Sequence, residues 1–120
     1  MVIVMAKAVP NVPGKEADTI PNRSYQRGVR FERERLKHYK ELGHEALRTA
    51  GSHGKFDIIS IDDKHGIVNL IQCKVTNDLS TANRLLKRFR EAPPLQLMSN
   101  IHQTMEVKIT GSTEVHSVTV

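Results

Sequence analysis

The stretch "KFDIISIDDKHGIVNLIQCK", residues 55–74, decides how this chain folds. Two apolar, β-branched runs flank "DKHG", so the segment reads as two strands joined by a four-residue turn. If Asp62 opposes Ile67, paired residue numbers keep a constant sum. Ile61 then faces Val68, Ile59 faces Leu70, and Asp57 faces Gln72. Alternation puts these side chains on one face together with Lys74. A one-residue slip would break the apolar pairs, which fixes the parity. An acid, an amide and an amine therefore converge at the end of the hairpin far from its turn.

The elements on either side follow from pattern. Residues Ser24 to Leu42 have helical periodicity, with Ser24 as N-cap and Gly43 as the stop. Tyr25, Val29, Leu36 and Tyr39 form the inward stripe, and the gap in it is filled by Glu32. A short strand is expected from Ala46 to Thr49, followed by a loop over Gly51 to Gly54. "DLSTANRLLKRFREA", residues 78–92, reads as a second helix with Leu79, Ala82, Leu85, Leu86 and Phe89 on one side. Pro93 and Pro94 end it. Its Arg84, Lys87, Arg88 and Arg90 form either a solvated face or a track for phosphates. The tail "TMEVKITGSTEVHSVTV" alternates as a second hairpin turning at Gly111 and Ser112. The order is helix, three strands, helix, two strands: an α/β layer structure with helices packed on a sheet.

Composition narrows the function classes. At 120 residues the chain fits one domain. The formal charge of +5 favours a polyanionic partner, and nucleic acid is the usual one. Aromatics are 4% with no tryptophan, which leaves extensive base stacking unsupported. A single cysteine, Cys73, cannot close an internal disulfide, so a reducing compartment is the default. "MVIVMAKAVP" lacks the basic leader of a signal peptide and is too short to span a bilayer. "PNVPGKEADTIPN" follows it, so residues 1–22 are expected to be a flexible arm before a domain at 23–120.

Glu32 and Asp57 both fall on faces expected to look inward. A buried carboxylate needs a partner. A hard divalent cation is one, held by Asp57, the Gln72 amide oxygen, the main-chain carbonyl of Cys73 and Glu32. Lys74 would then hold a phosphate, orient water or stabilise developing charge, which is chemistry for phosphodiester hydrolysis. Ion pairs are the other solution: Glu32 with Arg48, and Asp57 with Lys74. The residues alone leave both open. The six histidines show no zinc spacing.

"GVRFERERLKHYKELGHEALRTAGSHGKFDIISID", residues 28–62, with "LIQCKVT", residues 70–76, resembles the archaeal-type Holliday junction resolvases of the PD-(D/E)xK nuclease superfamily. Gly28, Glu32, Arg33, Gly43, Arg48, Gly51, Ser52, Asp57 and Lys74 match that pattern in order. Two positions depart from it: Phe56 precedes Asp57 where the superfamily has Pro, and Gln72 stands where the family usually has Glu. The resemblance implies a restriction-endonuclease-like core with a mixed central sheet flanked by helices. It implies a Mg²⁺-dependent endonuclease, with Mn²⁺ able to substitute, that resolves four-way junctions in recombination and repair as a homodimer. It also implies an intracellular, cytoplasmic setting, archaeal or phage-borne. Asp57 would be the main metal ligand, with Gln72, the Cys73 carbonyl and Glu32 beside it, and Lys74 and Ser52 at the phosphate. Arg23, Arg27, Arg30, Arg33, Arg48, Ser52, His53 and Lys55 would contact DNA. The Gln72 departure keeps other readings in play: a nuclease of duplex or other branched DNA, a DNA-binding relative without catalysis, or a basic structural protein.

Overall fold

The computed structural model describes residues 23–49 and 55–120. The arm expected over residues 1–22, and Gly51, Ser52 and His53, lie outside the described residues. The elements in chain order are α1 (Arg23–Glu41), β1 (Glu45–Arg48), β2 (Ile58–Asp62), β3 (Ile67–Thr76), α2 (Leu79–Glu91), β4 (Ile101–Ile109) and β5 (Val115–Thr119). The five strands form one sheet in the order β1-β2-β3-β4-β5. Only β3 and β4 run parallel, and α2 makes the crossover that a parallel pair requires. The result is the mixed sheet with flanking helices that the sequence led us to expect.

The central hairpin has the expected register: Asp62 pairs with Ile67, Ile61 with Val68 and Ile59 with Leu70. The ladder runs to Ile58–Ile71 and stops there. Asp57 does not continue it opposite Gln72. Its N–H instead donates to the Ile71 carbonyl at 2.8 Å, one residue early.

The two faces of the sheet are unequal. Ile58, Ser60, Ile71 and Cys73 are buried under α1, where Phe31 and Tyr39 pack against them. The opposite face carries Ile59, Ile61, Val68, Leu70, Gln72 and Lys74. The helix α2 covers its far end, where Ala82 and Phe89 meet Met105 and Val107 of β4. The face holding Gln72 and Lys74 is thus the more open of the two, contrary to the expectation that it looks into the core.

On α1 the inward stripe is also rotated from the expected one. Tyr25 is 66% exposed, and Phe31 at 2% takes the central place. The helix starts at Arg23, so Ser24 lies inside it and is not its cap. At its end Gly43 has φ 90°, a left-handed conformation natural to glycine. The His44 N–H donates to the Tyr39 carbonyl at 3.1 Å and the Gly43 N–H to that of Lys40 at 3.0 Å, the paired bonds of a Schellman stop. On α2, Asp78 is the N-cap, its Oδ1 accepting from the Thr81 N–H at 2.7 Å. Leu79, expected on the apolar side, is 52% exposed because it sits in the first turn beyond the sheet contact. The tail forms the expected hairpin, with Gly111 at φ 88° in its turn.

Candidate active site

Asp57 lies between β1 and β3, at the mouth of the hairpin. Three main-chain contacts fix it there. Its carbonyl accepts from the Thr49 N–H at 2.9 Å, and its N–H is tied to Ile71. Its Oδ2 accepts from the Cys73 N–H at 2.8 Å. A residue in a strand turns its N–H and C=O to the same neighbour, so the Cys73 carbonyl also faces the Asp57 side. One carboxylate oxygen is thereby engaged and the other left free of protein hydrogen bonds among the described residues.

Electrostatically, burial raises the Asp57 carboxyl above its ordinary value. The Cys73 N–H works against that rise, the Glu32 charge adds to it, and Lys74 and Arg48 oppose it. These four charged groups therefore share one field. No cation of the described residues comes within ion-pair distance of Asp57, so the anticipated Asp57–Lys74 contact does not form. The anticipated Glu32–Arg48 pair does: Arg48 Nε donates to Glu32 Oε1 at 2.7 Å, with both side chains about one-fifth exposed (18% and 19%). Arg48 is thus committed to Glu32 rather than open to solvent.

Gln72 is half-buried and Lys74 exposed, two residues apart on one face of β3. Neither side chain has a hydrogen-bond partner among the described residues. Cys73 points the other way, into the α1 core, where burial pushes its thiol far up. It is no nucleophile. Lys55 stands beside the site, its ammonium 5.6 Å from the Phe56 ring centre and 5.3 Å from that of Phe89. Arg30 and Arg33 are exposed on the outer side of α1, along a shallow groove that also includes Lys37. Arg27 is partly buried, and nothing is described of the Arg23 side chain.

One polar cluster escaped the sequence reading. Glu106 of β4 is 3% exposed beneath α1. Arg35 grips it through Nε at 2.8 Å and Nη2 at 3.3 Å, and the Tyr39 hydroxyl donates to it at 2.5 Å. This clamp sets the pitch of the helix that carries Glu32. The only signal for it was an acid inside the alternating run "TMEVKI".

These donors suit a hard cation. They are one half-buried carboxylate with no cation of the described residues in contact, an amide oxygen, a main-chain carbonyl and a second carboxylate nearby. All are oxygens, the set Mg²⁺ takes while keeping several waters. No cluster of three His, Cys, Asp or Glu side chains fit for a metal occurs among the described residues, so any ion there depends on the amide and carbonyl.

A model of the archaeal Holliday junction resolvase family matches residues 23–83, just over half of the chain. The match runs from α1 into α2 and contains Glu32, Arg48, Asp57, Gln72 and Lys74. No curated protein and no solved structure matches the chain.

Proposed function

The chain belongs to the archaeal Holliday junction resolvase family, and we propose that it cuts four-way DNA junctions by Mg²⁺-dependent hydrolysis, with two copies acting on opposed strands. Membership makes it a junction-binding nuclease. The metal, the roles of residues and the pairing are our reading.

The observation that carries the reading is the state of Asp57. Its carboxyl is half-buried, its pKa is held above the ordinary value by burial, and no cation of the described residues is in contact with it. Keeping a carboxylate in that state lowers stability, which is how binding sites for cations are built. Asp57, Gln72 and the Cys73 carbonyl would hold Mg²⁺, with Glu32 reaching it directly or through water. The bound ion would polarise a phosphate oxygen and acidify a water. Lys74 stands free on the same face to take a scissile phosphate oxygen or steady the attacking water. Arg48 keeps Glu32 in place. Arg33, Lys55, Ser52 and His53 would contact the flanking backbone. Sequence-independent phosphate contacts suit a substrate recognised by shape.

Pairing is supported by the open sheet face. Leu47 (50%), Ile61 (37%), Leu95 (51%), Leu97 (43%) and Met98 (72%) are exposed, and no described helix covers β1 and β2 on that side. Apolar surface of that extent marks an interaction site. Neither helix is long and apolar enough to cross a membrane, and the single thiol fits a cytoplasmic setting.

The deciding experiment is cleavage of a labelled four-way junction beside a linear duplex of the same sequence, in Mg²⁺ and in Mn²⁺. Symmetric junction cuts are expected, and Asp57→Asn should reduce them at least about a hundredfold while sparing binding. Equal cutting of the linear duplex would assign the enzyme to another DNA substrate. Gln72 favours one alternative, a relative that binds without cutting. Tight junction binding with no cleavage in either metal would establish that instead.

A further inference from the structure

Next to the groove, and sharing Arg30 and Glu34 with it, α1 meets the ends of β3 and β4 in a small cleft of about 150 Å³. Arg27, Arg30 and Glu34 line it from the helix, and Lys108, Thr110 and Gly111 from β4 and the turn after it. Three cations thus face one acid. The acid is taken: Lys108 Nζ lies 3.3 Å from Glu34 Oε1. The two guanidiniums have no carboxylate partner among the described residues. Arg27 Nε is buried with no hydrogen-bond partner among the described residues. A buried charged donor without an acceptor is rare and calls for a missing one.

The opposite wall is held rigid. Thr110 is bound twice to the end of β3, its N–H donating to the Thr76 carbonyl at 2.7 Å and its hydroxyl to the same carbonyl at 3.1 Å. Gly111 follows at φ 88° and puts no side chain into the opening. The cleft has room for one phosphate group and a few waters, at roughly 30 Å³ per water.

We infer that this cleft binds a backbone phosphate of the DNA, one other than the one that reacts. The inference rests on the reading of the chain as a junction nuclease. Val75, which borders the cleft, follows Lys74 on β3 but alternates to the α1 face, so the cleft opens on the other face of the sheet from Lys74. Arg27 precedes Glu32 by five residues on α1, about 7.5 Å of helix, so a phosphate held there is separate from one at Lys74. Guanidinium forks suit phosphate oxygens in pairs, and Glu34 tempers the site by holding Lys108 until a phosphate competes for it.

The Glu34–Lys108 pair makes the idea testable, because a structural ion pair and a phosphate site respond in opposite ways. Junction and duplex binding would be titrated with salt, in chelator to prevent cutting, for wild type, Glu34→Gln, Lys108→Gln and Arg27→Gln. Melting of each would be recorded alongside. Glu34→Gln should tighten binding about threefold, and Lys108→Gln and Arg27→Gln should weaken it and reduce the salt slope by about 0.9 each. If both members of the pair lower melting equally and leave affinity and slope unchanged, the cleft is only structural and the inference is wrong. If inorganic phosphate raises melting of wild type but not of Arg27→Gln, with DNA affinity untouched, the ligand is a small phosphate and the DNA assignment fails. The two readings fail separately. Opposite shifts on plain duplex, with no preference for junctions, would keep the cleft and remove the resolvase. Junction cutting lost in Asp57→Asn, with all cleft variants silent, would do the reverse.

Discussion

Asp57 and Gln72 sit at the centre of a balance between stability and binding. Burial raises the folded-state carboxyl of Asp57 above its ordinary value of 3.8. A group shifted that way contributes stability below its unfolded value and loses it as pH rises through the folded one. Asparagine cannot ionise, yet its amide oxygen can still accept from the Cys73 N–H. Asp57→Asn should therefore melt with wild type at about pH 3 and above it at about pH 8, in chelator. An equal or lower melting temperature at the higher pH would mean that the charge is already compensated. Gln72 tunes the same site from the other side. Restoring the family's acid, Gln72→Glu, adds a ligand charge beside a carboxylate already under repulsion from Glu32. The variant should need about tenfold less Mg²⁺ for half-maximal cleavage, because ligand charge governs affinity for hard cations. It should also be less stable without metal. A metal requirement that does not move would show that Gln72 lies outside the coordination shell.

Among the elements, α1 depends most on a contact that sequence does not announce. Its clamp onto Glu106 joins residues 71 apart for Arg35 and 67 for Tyr39. No local pattern links them. An arginine at the centre of a buried helix face reads as solvent-facing, so the expected stripe was placed one position round, through Tyr25 instead of Phe31. The hairpin was legible for the opposite reason. Its register follows from turn length and parity, both local. Which of its faces is buried was not legible, because Ile occurs at both parities: Ile58 is 0% exposed and Ile61 37%. The site shows the same division. Parity placed Gln72 and Lys74 on one face of β3, but the one-residue shift that ties Asp57 to Ile71 instead of Gln72 was not legible; the Glu32–Arg48 pair was one of two anticipated solutions. Lys108 lies beyond the second helix, and nothing local joined it to Arg27. The clamp should carry measurable stability. Tyr39→Phe removes a hydroxyl bonded to a buried carboxylate and should cost about 2 kcal/mol, read as a lower urea midpoint at unchanged slope. Glu106→Gln leaves the Arg35 guanidinium without its counter-charge and should cost about 3–5 kcal/mol. Equal small losses would mean that Phe31 and Tyr39 hold α1 by packing alone.

At the scale of the whole molecule, the positive charge is concentrated on the helices, and the sheet face away from α1 carries an apolar area at Leu47 and Ile61. Residues 1–22 hold two lysines and two acids and so add nothing to the net charge of +5. The excess lies on the helices. On α2, Arg84, Lys87, Arg88 and Arg90 have no ion pair among the described residues, and Glu91 is the helix's one acid. Exposed apolar side chains occur at the ends of the helices, at Tyr25, Leu42 and Leu79, and on the sheet face that α2 leaves uncovered, at Leu47 and Ile61. Leu95 continues it, because Gln103 on the same face holds the linker through Nε2 to the Leu95 carbonyl at 3.0 Å. A surface that is apolar on one side and cationic on its helices can close a two-fold pair while leaving its charges outward for DNA. Wild type should then sediment at about 27 kDa, twice the chain mass of 13.5 kDa. Ile61 faces that open surface rather than the core, so Ile61→Asp removes little internal packing. Across a two-fold contact it would bury like charges from both copies. The variant should sediment as a folded monomer, with unchanged circular dichroism, and should nick single strands of a junction without the paired second cut. A variant that stays dimeric would place the contact elsewhere; a wild type that is monomeric at working concentration would require the two cuts to be made in turn by one copy.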